Sequence, residues 1–267
     1  MIKKQYFSLL ALISSSLCFS DFSNNDSGLY LDLMKKCLLN TIYKDPAINS
    51  VYNENNRLNG LDWPKTAHTM IGLKQLNNIQ FCIEDTLKNN ISGDFVETGV
   101  WRGGATIFMR AILKAYNIND RHVWVADSFE GIPPTNLVLY PSDTEGNNWH
   151  TNKYLAISLD EVKSNFKQYG LLDEQVIFLK GFFKDTLPTA PIQQIAVLRL
   201  DGDLYESTMD SLTHLYHKLS IGGYIILDDY FNIACCRQAV DDFRKTNNIT
   251  DEIKAVDKHA IFWKKTK

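Results

Sequence analysis

Apolar positions along the chain keep two different rhythms. Between residues 29 and 45, Leu31, Met34, Leu38 and Ile42 recur at helical spacing, which predicts an amphipathic helix. A polar stretch follows over 49–59, and "MIGLKQLNNIQFCIEDTLKNN" predicts a second helix running into the Asn89–Asn90 turn. From residue 94 the pattern changes to short apolar runs at 94–98, 122–126, 175–179, 195–200 and 224–227, which read as strands. Helical periods at about 105–116, 207–219 and 235–246 separate several of them, and 253–256 with 260–263 predict a terminal strand pair. Strands alternating with helices mean βαβ units and a mainly parallel sheet. The fold class is therefore α/β, with a helical cap over 26–92 and the sheet domain over 93–267.

Two segments break the rhythm. Over about 128–154 no period holds, and the stretch carries Gly131, Pro133, Pro134, Pro141, Gly146, Trp149 and His150. An unpatterned interval of this length in a compact domain is commonly functional, and its aromatic residues suit a lid over a site. At the N-terminus, Lys3 and Lys4 precede "YFSLLALISSSLCFS", an apolar stretch of signal-peptide length, with small residues at Ser16, Cys18 and Ser20 that suit cleavage before Asp21. Leu17 argues against a lipoprotein-type site. A frayed N-terminal helix of a cytosolic protein is the alternative, and residues 1–25 stay outside the fold argument.

Composition narrows the function classes. The chain has 267 residues, 45% apolar and 22% charged, enough for a sizeable core. Its net charge of −3 gives no basic footprint for nucleic acid. No run of 18 apolar residues predicts a membrane span. Five cysteines include no C-x-x-C pair, so a zinc site is not indicated and buried free thiols are the default.

The chemistry gathers at strand ends. In "FVETGVWRGGAT" a strand enters a glycine turn and a helix leaves it, offering close backbone approach and free N–H groups to a ligand. The acid precedes the glycines, at Glu97, where it suits an ammonium or a sugar hydroxyl rather than a pyrophosphate. In "VWVADSFEGIP", Asp127 ends the second strand, where an acid can accept both hydroxyls of a ribose. Either motif alone also reads as a turn. "LRLDGDLYEST" ends the fourth strand at Asp201, with Asp203 or Ser207 as a cap for the next helix. "GGYIILDDY" ends the fifth at Asp228 and Asp229. If strands four and five are neighbours, these carboxylates converge, and a hard divalent cation such as Mg²⁺ relieves their repulsion. His150, Trp101 and Trp149 are candidates for the pocket, whereas His214 and His217 read as surface residues.

These motifs, together with "GFFKDTLP", "LYLDLMKKCLLNTIYKDP" and "HTMIGLKQLNNI", resemble the macrocin and mycinamicin sugar O-methyltransferases from about residue 29 to the C-terminus. The resemblance implies a class I, Rossmann-like methyltransferase that uses S-adenosylmethionine and Mg²⁺ to methylate a hydroxyl on a sugar-bearing small molecule. It matches Thr69 and Met70 to positions near the cofactor. Glu97, Thr98, Gly99, Val100 and Trp101 match the first cofactor loop, and Asp127, Ser128, Phe129, Glu130 and Gly131 the loop for ribose and adenine. Asp201, Asp228 and Asp229 match the metal ligands. The proton acceptor stays open between Asp201, His150 and a hydroxide on the cation. Family members work in the cytosol, which the leader departs from. A non-catalytic nucleoside-binding module on the same fold is the competing reading; a dehydrogenase lacks its G-x-G-x-x-G. An exposed N-terminal helix is a surface on which a homo-oligomer can form.

Overall fold

The computed structural model describes residues 25–267, so the signal-like segment lies outside the described residues. Three helices come first: α1 (Asn25–Leu38), α2 (Glu54–Leu58) and α3 (Leu73–Lys88). The alternation then runs β1 (Asp94–Thr98), α4 (Gly104–Ala115), β2 (Val123–Asp127), α5 (Leu159–Gln168), β3 (Val176–Lys180), α6 (Phe183–Thr186), β4 (Ile195–Leu200), α7 (Tyr205–Leu215), β5 (Leu219–Leu227) and α8 (Ala234–Thr246). β6 (Lys254–Ala255) and β7 (Ile261–Lys264) close the chain.

The strand order is β3-β2-β1-β4-β5-β7-β6. β1 to β5 pair in parallel, and β7 is antiparallel to β5 and to β6. Successive side chains on a strand face opposite ways, and both faces are covered. Phe95, Val197 and Ile226 join a core with Leu31, Leu76, Ile79, Phe108 and Phe166 of α1, α3, α4 and α5. Val96, Leu198 and Ile225 join a second core with Leu212 of α7 and Val240 of α8. The predicted cap thus shares one core with the sheet. The chain steps outward from β1 to β3 and returns to place β4 beside β1. That reversal opens a crevice beyond the carboxyl ends of β1 and β4, where open α/β sheets bind ligands.

Several boundaries differ from the sequence pattern. α1 stops at Leu38, leaving Ile42 47% exposed beyond it. α3 begins only at Leu73, because residues 68–71 turn toward the crevice. α2 falls inside the polar stretch, capped by Asn53 and held by buried Arg57, which donates to Asp62 and to the carbonyls of Leu39 and Asp45. α5 carried a readable start in "SLDE": the Ser158 side chain accepts from the Glu161 N–H. It buttresses the first glycine loop, with Asn165 donating to the Arg102 carbonyl at 3.0 Å. Cys235 and Cys236 are buried free thiols on α8.

The 128–154 segment is ordered by acids that reach helix starts. Asp143 is fully buried and accepts from the N–H groups of Tyr205 (2.6 Å) and Glu206 (3.2 Å) at the beginning of α7. Glu145 accepts from the Ala234 N–H at 3.1 Å, where α8 begins. Helix N-termini present unpaired N–H groups and favour negative charge, so both contacts stabilise. The cap of α7 is therefore supplied from the lid, in place of Asp203 or Ser207. At the far end Tyr154 stacks on Trp63 with ring centroids 5.1 Å apart. Among the described residues no helix is long and apolar enough to cross a membrane.

Candidate active site

A cavity of about 480 Å³ opens at the carboxyl ends of β1, β2, β4 and β5. Its floor begins with Gly99, at φ 82°; a Cβ there would lie 1.7 Å from the Asp201 carbonyl oxygen, so the β1 loop can cross the end of β4 only as glycine. Gly103, at φ 85°, starts α4 without a side-chain cap. Gly104 presses against the His68 carbonyl and Thr69, which sets Thr69 and Met70 on the cavity wall. Trp101, Phe129 and Asp203 also hold positive φ values of 47°, 55° and 57°. Such left-handed conformations in non-glycine residues concentrate at functional loops.

Buried charge organises the floor. Glu97 and Arg199 face each other across the β1–β4 ladder. Arg199, 1% exposed, donates to Glu97 Oε1, to Asp201 Oδ2 at 2.9 Å and to Asp228 Oδ1 at 2.7 Å. Burial opposes the charge on Arg199, but Asp228, Asp201 and Glu97 outweigh it and hold the guanidinium protonated. One cation does not neutralise this many acids. Burial pushes Glu97 up to about 8, with Arg199 pulling down and Asp201 and Asp228 adding to the rise. Burial likewise lifts Asp228 to about 7 against Arg199. Asp203 and Asp229 are raised well above the usual carboxylate range by burial first; Asp201, Asp228 and Asp127 add to the rise at Asp203, and Asp203, Asp228 and Asp201 to that at Asp229. The site is short of positive charge.

Two carboxylate oxygens of this floor lack any partner. Glu97 Oε2 and Asp229 Oδ2 are buried and accept no hydrogen bond. A buried polar atom without a partner is costly, and both belong to residues lining the cavity. Around Asp229, one carboxylate oxygen each from Asp201, Asp203 and Asp229 lie within 4.8 Å of one another. An all-oxygen set fits a hard divalent ion. The glycine-built β1 loop with Glu97 beside it fits the amino end of a nucleoside-type cofactor.

The chain matches the family model described as macrocin-O-methyltransferase (TylF) over residues 46–265. It belongs to that family. It is 54% identical over 252 residues to demethyldecarbamoylnovobiocin O-methyltransferase of Streptomyces niveus, covering 92% of this chain and 96% of that one. It is 53% identical over 243 residues to 8-demethyl-8-(2,3-dimethoxy-alpha-L-rhamnosyl)-tetracenomycin-C 4'-O-methyltransferase of Streptomyces olivaceus, covering 89% and 93%. The solved structure of the O-methyltransferase NovP matches at a TM-score of 0.89 and 55% identity, over 91% of this chain and all of that one. The fold is that of a class I methyltransferase, which implies S-adenosylmethionine, and the protein is an O-methyltransferase.

On this macrocin-type O-methyltransferase, Thr69, Met70, Glu97, Gly99, Val100, Trp101, Asp127, Ser128, Gly131, Asp201, Asp228 and Asp229 all line the cavity. Thr98, Phe129, Glu130 and His150 are not among its lining residues. Thr98 is fully buried, its hydroxyl accepting from Ser211. Phe129 packs on Phe178 with centroids 6.3 Å apart. Glu130 points outward to Lys180, at 3.8 Å. His150 is exposed on the lid, so it is removed from the candidates for proton acceptor. Asp127 is already engaged: Oδ2 accepts from the Val100 N–H (2.8 Å) and Oδ1 from the Phe129 N–H (2.7 Å), tying the loop after β1 to the loop after β2.

The carboxylate set also differs from the expected one. Asp201, Asp228 and Asp229 were the expected ligands; the close set contains Asp203, while Asp228 spends Oδ1 on Arg199. β5 ends at Leu227 and the chain bends at Asp228 and Asp229, so both aspartates line the cavity while Asp228 turns one oxygen to Arg199. Arg199 itself was not singled out by the sequence reading. A lone cation inside the apolar run "IAVLRL" was the available signal, since a charge there requires buried counter-charges.

Proposed function

We propose that this O-methyltransferase transfers the methyl group of S-adenosylmethionine to a hydroxyl on the sugar of a glycosylated small molecule, with Mg²⁺ seated among the strand-end aspartates. One observation carries the reading: a single cavity holds two cation-seeking carboxylates, with unpartnered Oε2 of Glu97 on the β1 side and unpartnered Oδ2 of Asp229 on the β5 side. The relatives' names, which specify a novobiocin precursor and a rhamnosyl tetracenomycin as acceptors, support the substrate class.

S-adenosylmethionine supplies an electrophilic methyl group, and Mg²⁺ supplies a Lewis acid that makes a bound hydroxyl easier to deprotonate. The chain does the rest. Glu97 Oε2 would accept from the cofactor's ammonium group, and Asp127 pins the loops after β1 and β2 to each other. Asp201 and Asp229 would hold the metal: the family resemblance matches both to ligand positions, and both belong to the close carboxylate set. Asp203 adds a third oxygen, and Asp228 lines the wall beside them. Arg199 fixes Asp201 through Oδ2, so one carboxylate oxygen is left to meet either the metal or the acceptor's proton. The lid, clamped by Asp143 and Glu145, excludes water. Alignment of this kind lowers a barrier by as much as ~7–11 kcal/mol in ideal intramolecular systems.

The test is transfer of labelled methyl from S-adenosylmethionine, in the presence of Mg²⁺, to demethyldecarbamoylnovobiocin and to the rhamnosyl tetracenomycin. Label on a sugar hydroxyl is expected. Tight binding of S-adenosylhomocysteine with no transfer to either, or to a wider glycoside panel, would return the site to a nucleoside-binding module.

A further inference from the structure

His259 stands on the turn between β6 and β7, and the turn is rigidly built. Asp257 Oδ1 accepts from the N–H groups of His259 (2.8 Å) and Ala260 (2.9 Å). The His259 carbonyl in turn accepts from the Phe231 N–H at 2.9 Å. The C-terminal hairpin is thereby hooked onto the loop that follows Asp228 and Asp229. The His259 residue lines the cavity alongside those aspartates and Asn232.

Its Nε2 is buried and has no hydrogen-bond partner in the protein. Burial, assisted by Lys258 and opposed by Asp257, lowers the ring's pKa, so the imidazole is neutral at pH 7. Leaving such a nitrogen unmet is costly, and an apolar residue of similar size would avoid the cost. If His259 served packing alone, the histidine would be a liability. A neutral imidazole nitrogen can donate to or accept from a hydroxyl, which does both.

We propose that His259 is an acceptor-contacting residue whose Nε2 hydrogen-bonds a sugar hydroxyl neighbouring the one that is methylated. The sheet order places it on the β5–β7 side of the cavity, away from the β1 and β2 cofactor loops. It therefore sets acceptor affinity and the choice among hydroxyls, not cofactor affinity. This inference rests on the sugar-acceptor reading above.

The experiment compares wild type, His259→Leu and His259→Gln in steady-state kinetics with the two acceptors named above, alongside S-adenosylhomocysteine titration and melting curves. His259→Leu is expected to raise the acceptor KM about tenfold, the loss of roughly one net hydrogen bond, with S-adenosylhomocysteine affinity unchanged within twofold. His259→Gln, whose amide can reach the same hydroxyl, is expected to recover most of that loss. An unchanged acceptor KM in His259→Leu overturns the proposal, as do equal losses in both variants that track a lowered melting temperature. A wild type that binds S-adenosylhomocysteine but methylates no glycoside refutes the acceptor class itself, and this inference with it.

Discussion

Glu97 of β1 and Arg199 of β4 are register partners across the point where the strand order reverses, and they are hydrogen-bonded inside the sheet. Arg199 also holds Asp201 and Asp228, so one buried cation fixes acids on three neighbouring strand ends. Removing it while the carboxylates stay leaves buried charge uncompensated. Arg199→Met is expected to destabilise the fold by about 3–5 kcal/mol and to abolish turnover, as read by denaturant melts and a methyl-transfer assay. A variant of near wild-type stability would mean the cluster is wetter than the structure shows.

Glu97→Gln tests the other half of the pair. The amide keeps the shape but loses the charge proposed to meet the cofactor's ammonium. A hydrogen bond to a charged group contributes about 1.5–3 kcal/mol, so S-adenosylhomocysteine affinity should fall roughly 10- to 100-fold by calorimetry. Unaltered affinity would place the ammonium elsewhere.

The same residue gives the unliganded protein a pH signature. Glu97 titrates near 8 when folded, against an ordinary value of 4.5. Between those values the folded chain keeps a proton that the unfolded chain has lost, so stability falls as pH rises through the window. Asp228, raised to about 7, acts in the same direction. Melts at pH 5.5 and 8.5 should show lower stability at the higher pH, with a weaker dependence in Glu97→Gln. Binding of the cationic cofactor should release protons, so its affinity should rise toward pH 8. A stability that increases with pH would contradict the charge balance described for the floor.

Two glycines make a matched comparison. Gly99→Ala would drive a Cβ to 1.7 Å from the Asp201 carbonyl at a positive φ, and loss of both cofactor binding and several kcal/mol of stability is expected. Gly28→Ala in α1 meets nothing within 4 Å and should stabilise by about 0.5–1 kcal/mol through helix propensity. The contrast is readable from melting temperatures alone.

Asp143→Ala removes the acid that caps α7 from the lid. A loss of about 1–2 kcal/mol is expected, together with faster amide exchange across 128–154 and a raised acceptor KM. Unchanged exchange would show that Glu145 and the Trp63–Tyr154 stack hold the lid without it.

The sequence made the frame legible where chemistry is local. β1 and β4 match the apolar runs at 94–98 and 195–200 residue for residue, and the strand-end acids Glu97, Asp127 and Asp201 announce a cleft. What escaped was non-local. Arg199 is a visible anomaly in its strand, yet beyond Asp201 its carboxylate partners lie 102 and 29 positions away and are named only by the strand order. Asp143 caps a helix 62 residues downstream, beyond any capping pattern read from neighbours. His150 had the right residue type in the right loop but faces solvent, while His259 reaches the cavity from a hairpin that sequence could place only at the sheet edge.

In the proposed mechanism a divalent cation held by Asp229 activates the acceptor beside a separately bound cofactor. Titration of Mg²⁺ into the chelator-treated protein saturated with S-adenosylhomocysteine, for wild type and Asp229→Asn, tests it most directly, with methyl transfer followed in parallel. Saturable Mg²⁺ binding that restores transfer is expected in wild type, with loss of both in Asp229→Asn while S-adenosylhomocysteine affinity holds. Full transfer by wild type in excess chelator, or by Asp229→Asn, would contradict it.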